Sequence, residues 1–330
     1  MKFKIQTQKS NKSSEFKIHI TTPVQPSFFN SSTEQGQVEV FWYYSKNYTD
    51  LENIYKAINL AEPLKEDYLS AVKILKNTHK PAYIYLPFGY NTKKKYDIIY
   101  LLHGWTMTAE DFFGLSNIQY MKNMFDNMIE KGLVKPFIAV SPTWDKDNKP
   151  KGWGESTDEV AVFAHEYVLD LIPSVESHYS AFCTSTDIPE ILASRSHRAI
   201  GGFSLGSIAT WYLFEYAFPF SRWYLPMSGD NWHCGMFGGQ YYPSETAKFL
   251  ADLVNKSKYG KDFYVYYAVG TNDSRILQTH NQALAMAELS DTFNENNFSY
   301  NQKQKGLHDL NSVYEFIYNA LPFFFPPKSI

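Results

Sequence analysis

Cysteine is scarce in this 330-residue sequence, which has only Cys183 and Cys234. Two cysteines cannot build a disulfide scaffold, and without C-x-x-C spacing they do not form a zinc site. They leave either two free thiols or a single disulfide. A charge surplus is missing as well. With 31 basic against 34 acidic residues, the formal charge is −3, too little to gather nucleic acid or an anionic membrane over a distance. No apolar run approaches the ~18 to 20 residues that span a bilayer. The opening Met1-Lys2-Phe3-Lys4 turns polar instead of entering a signal h-region. These absences point to a soluble chain acting on a neutral or weakly charged small molecule or polymer, with no nucleic-acid or membrane partner. It is expected to be secreted, with its signal peptide absent from this sequence; a cytoplasmic location stays open, as does oligomeric state. Aromatic residues are abundant, with 25 Tyr, 25 Phe and 7 Trp. Such rings suit sugar faces and phenolic groups, although most are expected to be core.

No internal repeat, low-complexity tract or linker divides the chain. Residues 1–36, polar and carrying Pro23 and Pro26, read as an extended or poorly ordered lead-in, with folding from Gln37 through to 330 as a single domain. Val38 to Tyr44 and Ala82 to Pro87 read as strands by β-branched and aromatic content. Between them, apolar residues at helical spacing (Ile54, Ile58, Leu64, Val72, Leu75) predict a helical insertion over 51–79. Further on, buried strands (Ile98 to Leu102, Phe137 to Ser141, Arg198 to Phe203, Trp223 to Met227, Phe263 to Val269) alternate with helical runs, including 118–131 and a helix over 160–177 broken near Pro173. That alternation predicts an α/β fold with a mostly parallel, twisted central sheet flanked by helices.

Chemistry enters at Gly202-Phe203-Ser204-Leu205-Gly206. Gly-x-Ser-x-Gly is short and prone to chance matches, but here it lies between a buried strand and a helical run. A tight strand-to-helix turn there would raise the Ser204 hydroxyl above the sheet as a nucleophile. In such enzymes an acid and then a histidine follow the serine in chain order. Asp273, in Gly270-Thr271-Asn272-Asp273 at the end of a strand, is the expected acid, and His308, in a loop before the last helix, the expected base. Asp230, also after a strand, is a rival acid; Asp309 is a weaker one. His233 and His280 satisfy the order but are expected to be structural or substrate-facing. His165, Glu166 and His178 match no zinc signature and read as structural. The backbone N–H groups of Leu205 and of Trp105, in the loop after Leu102-His103-Gly104, are the expected oxyanion donors. His103 is expected to brace that loop. No metal or organic cofactor is required.

These residues, with Tyr85-Leu86-Pro87-Phe88-Gly89-Tyr90, Leu225-Pro226-Met227-Ser228-Gly229-Asp230 and Gly306-Leu307-His308-Asp309, make the chain similar to the feruloyl esterase and acetylxylan esterase branch of the α/β-hydrolases, which is related to esterase D. The resemblance runs from about Gln37 to Phe325, apart from the insertion. It implies an α/β-hydrolase fold, Ser204, Asp273 and His308 as triad, and release of ferulate from arabinoxylan through an acyl-enzyme. Alternatives are an acetylxylan or other small-acyl esterase, and a catalytically silent carbohydrate-binding protein. The chain departs from the pattern after His103-Gly104, where Trp105-Thr106-Met107-Thr108 replaces a glycine-rich stretch. Candidate contacts to a phenolic ring or sugar are Trp232, Trp105, and Trp144 or Trp153 in the loop over 143–155.

Overall fold

A computed structural model of the chain describes residues 16–46, 48, 78–113 and 119–327. Nine strands form one sheet: β1 (Ile18–Ile20), β2 (Gln37–Ser45), β3 (Thr78–Leu86), β4 (Asp97–Leu102), β5 (Phe137–Pro142), β6 (Arg198–Phe203), β7 (Trp223–Met227), β8 (Tyr264–Gly270) and β9 (Phe298–Lys303). Their spatial order is β1-β9-β8-β7-β6-β4-β5-β3-β2. Only the β2–β3 and β3–β5 pairs are antiparallel.

The central strands β4 to β8 are near-continuous apolar runs because both faces of the sheet are covered there. Along β4, Ile98, Tyr100 and Leu102 enter one core and Ile99 and Leu101 the other, following the two-residue period of a strand. The first core packs under α2 (Trp153–Glu166), α5 (Leu205–Tyr216), α7 (Pro243–Lys256) and α8 (Ile276–Glu288). The second packs under α1 (Tyr120–Glu130) and α9 (Leu310–Phe324). Shorter helices are α3 (Ile172–His178), α4 (Ile188–Ala193) and α6 (Gly238–Tyr241).

Chain order reverses between β4 and β6. From β4 the chain moves outward to β5, then returns past β4 to β6 and continues through β7, β8 and β9. The crevice at the carboxyl ends of β4 and β6 is therefore the topological switch point, where open α/β sheets bind ligands. The start of β6 is anchored by Arg198, which is 1% exposed and donates to both Glu176 oxygens at 2.6 and 2.7 Å. The guanidinium also donates to the Phe220 carbonyl at 2.6 Å, so this buried charge is paired and hydrogen-bonded.

Several expectations need correction. Residues 1–15 and most of the proposed 51–79 insertion lie outside the described residues, while Thr78 and His79 begin β3. Residues 16–36 are not a loose lead-in. Ile18–Ile20 pairs in parallel with β9, Phe28 is buried, and α1 ties down the polar stretch. Asp126 accepts from the Gly36 N–H at 2.9 Å, the Asn127 amide donates to the Asn30 carbonyl at 2.9 Å, and Ser32 and Thr33 both donate to Glu130. The helix expected over 160–177 starts earlier, at Trp153, and continues past Pro173. A π-helical turn at Tyr167–Leu171 puts this proline in the first turn of α3, where its missing N–H is harmless. Strand β9 is an addition to the expected set. Cys183 and Cys234 are free thiols.

Candidate active site

At the end of β6 the chain turns directly into α5, and Ser204 sits in the turn with φ 56° and ψ −115°. Few non-glycine residues adopt positive φ, and such strain persists only where the surroundings over-determine it. Here they do: a Cβ on Gly202 would overlap the Gly206 carbonyl, and one on Gly206 would overlap the carbonyls of Leu102 and His103. The two glycines let β6, α5 and the end of β4 approach so closely that the connecting residue, Ser204, is held in this conformation. The Ser204 N–H donates to the Met227 carbonyl at 2.9 Å, tying the turn to β7.

Two further loops converge on the serine. After β8, the 270–273 turn presents Asp273, which is 2% exposed. Before α9, the 306–309 loop presents His308. The Ser204 Oγ lies 2.9 Å from His308 Nε2, and His308 Nδ1 lies 2.8 Å from Asp273 Oδ1. The same Asp273 oxygen accepts the Arg275 N–H at 2.7 Å, which fixes the carboxylate. The Phe203 ring packs against the imidazole with centroids 4.5 Å apart. The structure thus brings together the three side chains expected from chain order. Serine, imidazole and carboxylate in this sequence of contacts can move a proton from the hydroxyl to a ring held in the correct tautomer.

The rival residues are engaged elsewhere. Asp230 is buried, accepting from Trp232 Nε1 at 2.9 Å and from the Gln240 N–H at 3.3 Å; burial pushes its carboxyl up to about 6. Asp309 caps α9 through the Ser312 N–H. His233 stacks on Phe249, and His280 Nδ1 lies 3.3 Å from the Tyr300 hydroxyl.

The loop after β4 lies against Ser204: a Cβ on Gly104 would sit 3.3 Å from Ser204 Cβ. As the first helical residue, Leu205 has an N–H without an intrahelical acceptor, beside the positive end of the α5 dipole. His103 is fully buried, with Nε2 2.8 Å from Thr143 Oγ1 and Nδ1 2.9 Å from the Gly104 carbonyl. Burial holds its pKa down at about 4, so it is a neutral brace near neutral pH. Sequence reasoning missed the rest of this brace. Asp145 Oδ2 lies 3.7 Å from His103 Nε2, and burial, followed by the like charge of Glu159, pushes the Asp145 carboxyl up to about 7. Its place just past β5, at the site's end of the sheet, was the available signal. Thr106, next to Trp105, has φ 68°, which is unusual for a β-branched residue.

The candidate tryptophans separate. Trp144 is 2% exposed and donates from Nε1 to the His103 carbonyl at 3.0 Å, so it braces the loop and is not a substrate contact, correcting the expectation. Trp153 lies in the first turn of α2 rather than in a loop. Trp105, 40% exposed, meets Trp153 edge-on at 5.2 Å, and Trp153 lies 6.0 Å from Trp232. Phe237 extends the row, 5.5 Å beyond Trp232, with the Arg275 guanidinium over its face. Trp105 Nε1 donates to the Lys151 carbonyl at 2.9 Å, and the Lys151 ammonium pairs with buried Glu159 at 2.6 Å, anchoring the start of this aromatic row.

Comparison with known proteins bears on this arrangement. Endo-1,4-beta-xylanase Y of Acetivibrio thermocellus is 32% identical over 279 residues, covering 80% of this chain but 24% of that protein. The chain therefore spans about a quarter of the length of that curated relative. A mutant feruloyl esterase module from Clostridium thermocellum, solved with sinapinate, superposes with a TM-score of 0.71 at 27% identity, covering 95% of this chain and 96% of that one. A ferulic acid esterase from Anaeromyces mucronatus in complex with ferulic acid gives a TM-score of 0.63 at 18% identity, over 94% and 99% of the two chains, a likeness of fold alone. The fold is that of the α/β-hydrolases. The family model described as "Putative esterase" matches residues 75–318, most of the chain, and the chain belongs to that esterase family.

Proposed function

We propose that this chain is a feruloyl esterase, cleaving the ester between ferulate and an arabinose branch of xylan. The observation that carries this reading is the Ser204–His308–Asp273 contact chain, 2.9 and 2.8 Å long, on a strained elbow at the switch point. Ser204 Oγ attacks the ester carbonyl carbon as His308 Nε2 takes its proton. Asp273 holds the opposite N–H and stabilises the imidazolium. The N–H groups of Leu205 and Trp105 receive the developing oxyanion, each such donor contributing on the order of 3 kcal/mol in the transition state. Collapse expels the sugar hydroxyl, which takes its proton from His308 and leaves a feruloyl-Ser204 ester. A water deprotonated by His308 then attacks the acyl carbon; the bond to Ser204 Oγ breaks, Oγ recovers the proton from His308, and the acid leaves.

The choice of acyl group draws on Trp105 and Trp153, whose accessible rings offer a face and an edge to a phenolic ring, whereas Trp232, expected as a third contact, is buried behind them with its Nε1 on Asp230. The sinapinate bound in the similar feruloyl esterase module, at 27% identity, supports the same class. A polymeric substrate implies action outside the cell. Hydrolysis of methyl ferulate, methyl p-coumarate and an acetyl ester should be compared side by side. Feruloyl turnover is expected to dominate and to fall by at least about 10⁴-fold in Ser204→Ala. Dominant acetyl turnover would replace this reading with a small-acyl esterase, and surviving activity in the variant would remove Ser204 as nucleophile.

A further inference from the structure

Away from the serine, β2 carries a second group of solvent-facing rings. Phe41 and Tyr43 point to the first core, whereas Val38, Val40, Trp42 and Tyr44 share the other face. The two valines pack on the second core. Beyond them the described residues give the strand no cover, and Trp42 is 52% and Tyr44 66% exposed. Across the ladder Tyr44 pairs with His79; their rings stack at 4.7 Å and 19°, and the Trp42 ring lies 5.1 Å from the same imidazole. Three rings thus form one continuous open surface on the outermost strand pair.

Sheet topology puts this surface on the catalytic rim. Ser45 pairs with Thr78, Ala82 pairs with Pro142 in the antiparallel β3–β5 ladder, and β5 runs parallel to β4. The end of β2 and the start of β3 therefore lie at the same end of the sheet as the carboxyl ends of β4 and β6. With neighbouring strands ~4.8 Å apart, Trp42 and Tyr44 stand three strand spacings from β4 and four from β6, roughly 15 to 20 Å away. That is the span of a few linked sugars.

We propose that Trp42, Tyr44 and His79 form a binding platform for an uncharged polysaccharide, the backbone carrying the ester, and hold it across the rim so that its acylated branches reach Ser204. This rests on the feruloyl esterase reading for the polymer's identity. Aromatic faces match the C–H faces of pyranose rings, whereas exposed rings on an edge strand without a ligand are an aggregation hazard. A second copy of the chain fits less well. A stable protein interface needs about 800 Å² per partner, far more than three rings provide.

Affinity electrophoresis through arabinoxylan freed of its esters by alkali isolates this surface from the serine. The wild-type chain should be retarded, and the Trp42→Ala/Tyr44→Ala double variant should bind about tenfold more weakly. Trp42→Phe, which keeps a ring, should retain most of the retardation. In the double variant, kcat/KM on methyl ferulate should stay at the wild-type level while ferulate release from feruloylated arabinoxylan falls. Equal retardation of wild type and double variant, or none in either, would overturn the platform. So would sedimentation showing that the double variant has lost a wild-type dimer. Failure of methyl ferulate hydrolysis by the wild type would instead overturn the feruloyl esterase reading, leaving the retardation result intact.

Discussion

The two turns that meet at the switch point, one carrying Ser204 and the other lying against it, are built in opposite ways. The turn after β6 is fixed by what is absent: without Cβ atoms at Gly202 and Gly206, backbones close until Ser204 adopts φ 56°. The turn after β4 is fixed by what surrounds it: Thr143 and Asp145 beside His103, Trp144 on the His103 carbonyl, and Lys151, held by Glu159, beneath Trp105. The first constraint is local in sequence and appears as a motif. The second is spread over residues 103 to 159 and leaves none.

Substitutions should separate the two designs. Gly202→Ala forces a side chain into the Gly206 carbonyl and is expected to destabilise the fold by about 4 kcal/mol or more. Chemical denaturation measures this, and a loss under ~1 kcal/mol would mean that the elbow can relax. The matching change in the other turn should be milder. Trp144→Phe keeps most of the packing but leaves the His103 carbonyl without its Nε1 donor, a loss of about 1 to 3 kcal/mol. Because that brace holds Trp105, kcat on methyl ferulate should fall more than KM changes. An altered KM with kcat intact would place Trp144 in substrate binding after all.

The legibility of the sequence divides along the same line. Bounds of β6 and β7, the elbow, and the serine, acid, histidine order were all readable, because each is a short-range pattern of apolar or glycine positions. Strand β9 was not, because its inward side chains include Ser299 and Asn301. The Asn301 amide donates to the Tyr267 carbonyl at 3.2 Å and to Ser299 at 2.9 Å, so polar residues are buried at satisfied positions that an apolar pattern does not mark. The start of α2 was missed because Gly152 offers no capping side chain, and Pro173 was taken for a break because nothing local announces a π-helical turn. Trp144 and Trp153 looked alike in one segment, yet one is a buried brace and the other a half-buried ring in the first turn of α2, edge-on to Trp105. Composition cannot distinguish them; the strand end and the helix start do.

Acidity offers a subtler probe of the braced turn. Asp145 has a folded pKa of about 7 against 3.8 for the ordinary carboxyl, so the folded state holds the proton more tightly. Stability from this group is fully present below about pH 4 and is lost as pH rises through about 7. Asp145→Asn cannot ionise and should escape that decline. Unfolding of the two proteins at pH 5 and pH 8 should show the variant gaining on wild type at the higher pH, whereas an equal difference at both would mean that Asp145 is ionised throughout.

The smallest effect expected lies at Thr106, where the braced turn carries a strain unrelated to the chemistry. At φ 68° a β-branched residue costs ~1 to 3 kcal/mol, and glycine would remove that cost while adding ~0.5 to 1 kcal/mol of chain entropy to the unfolded state. Thr106 is exposed, so little packing is lost. Thr106→Gly should therefore stabilise the fold by about 1 kcal/mol, visible as a higher denaturation midpoint at unchanged slope. If the His103, Trp144 and Lys151 contacts alone position Trp105, kcat should be untouched. A stabilised variant with a lower kcat would show instead that the rigidity of Thr106 helps to aim the Trp105 N–H, making the β4 turn depend on local backbone strain as the elbow does.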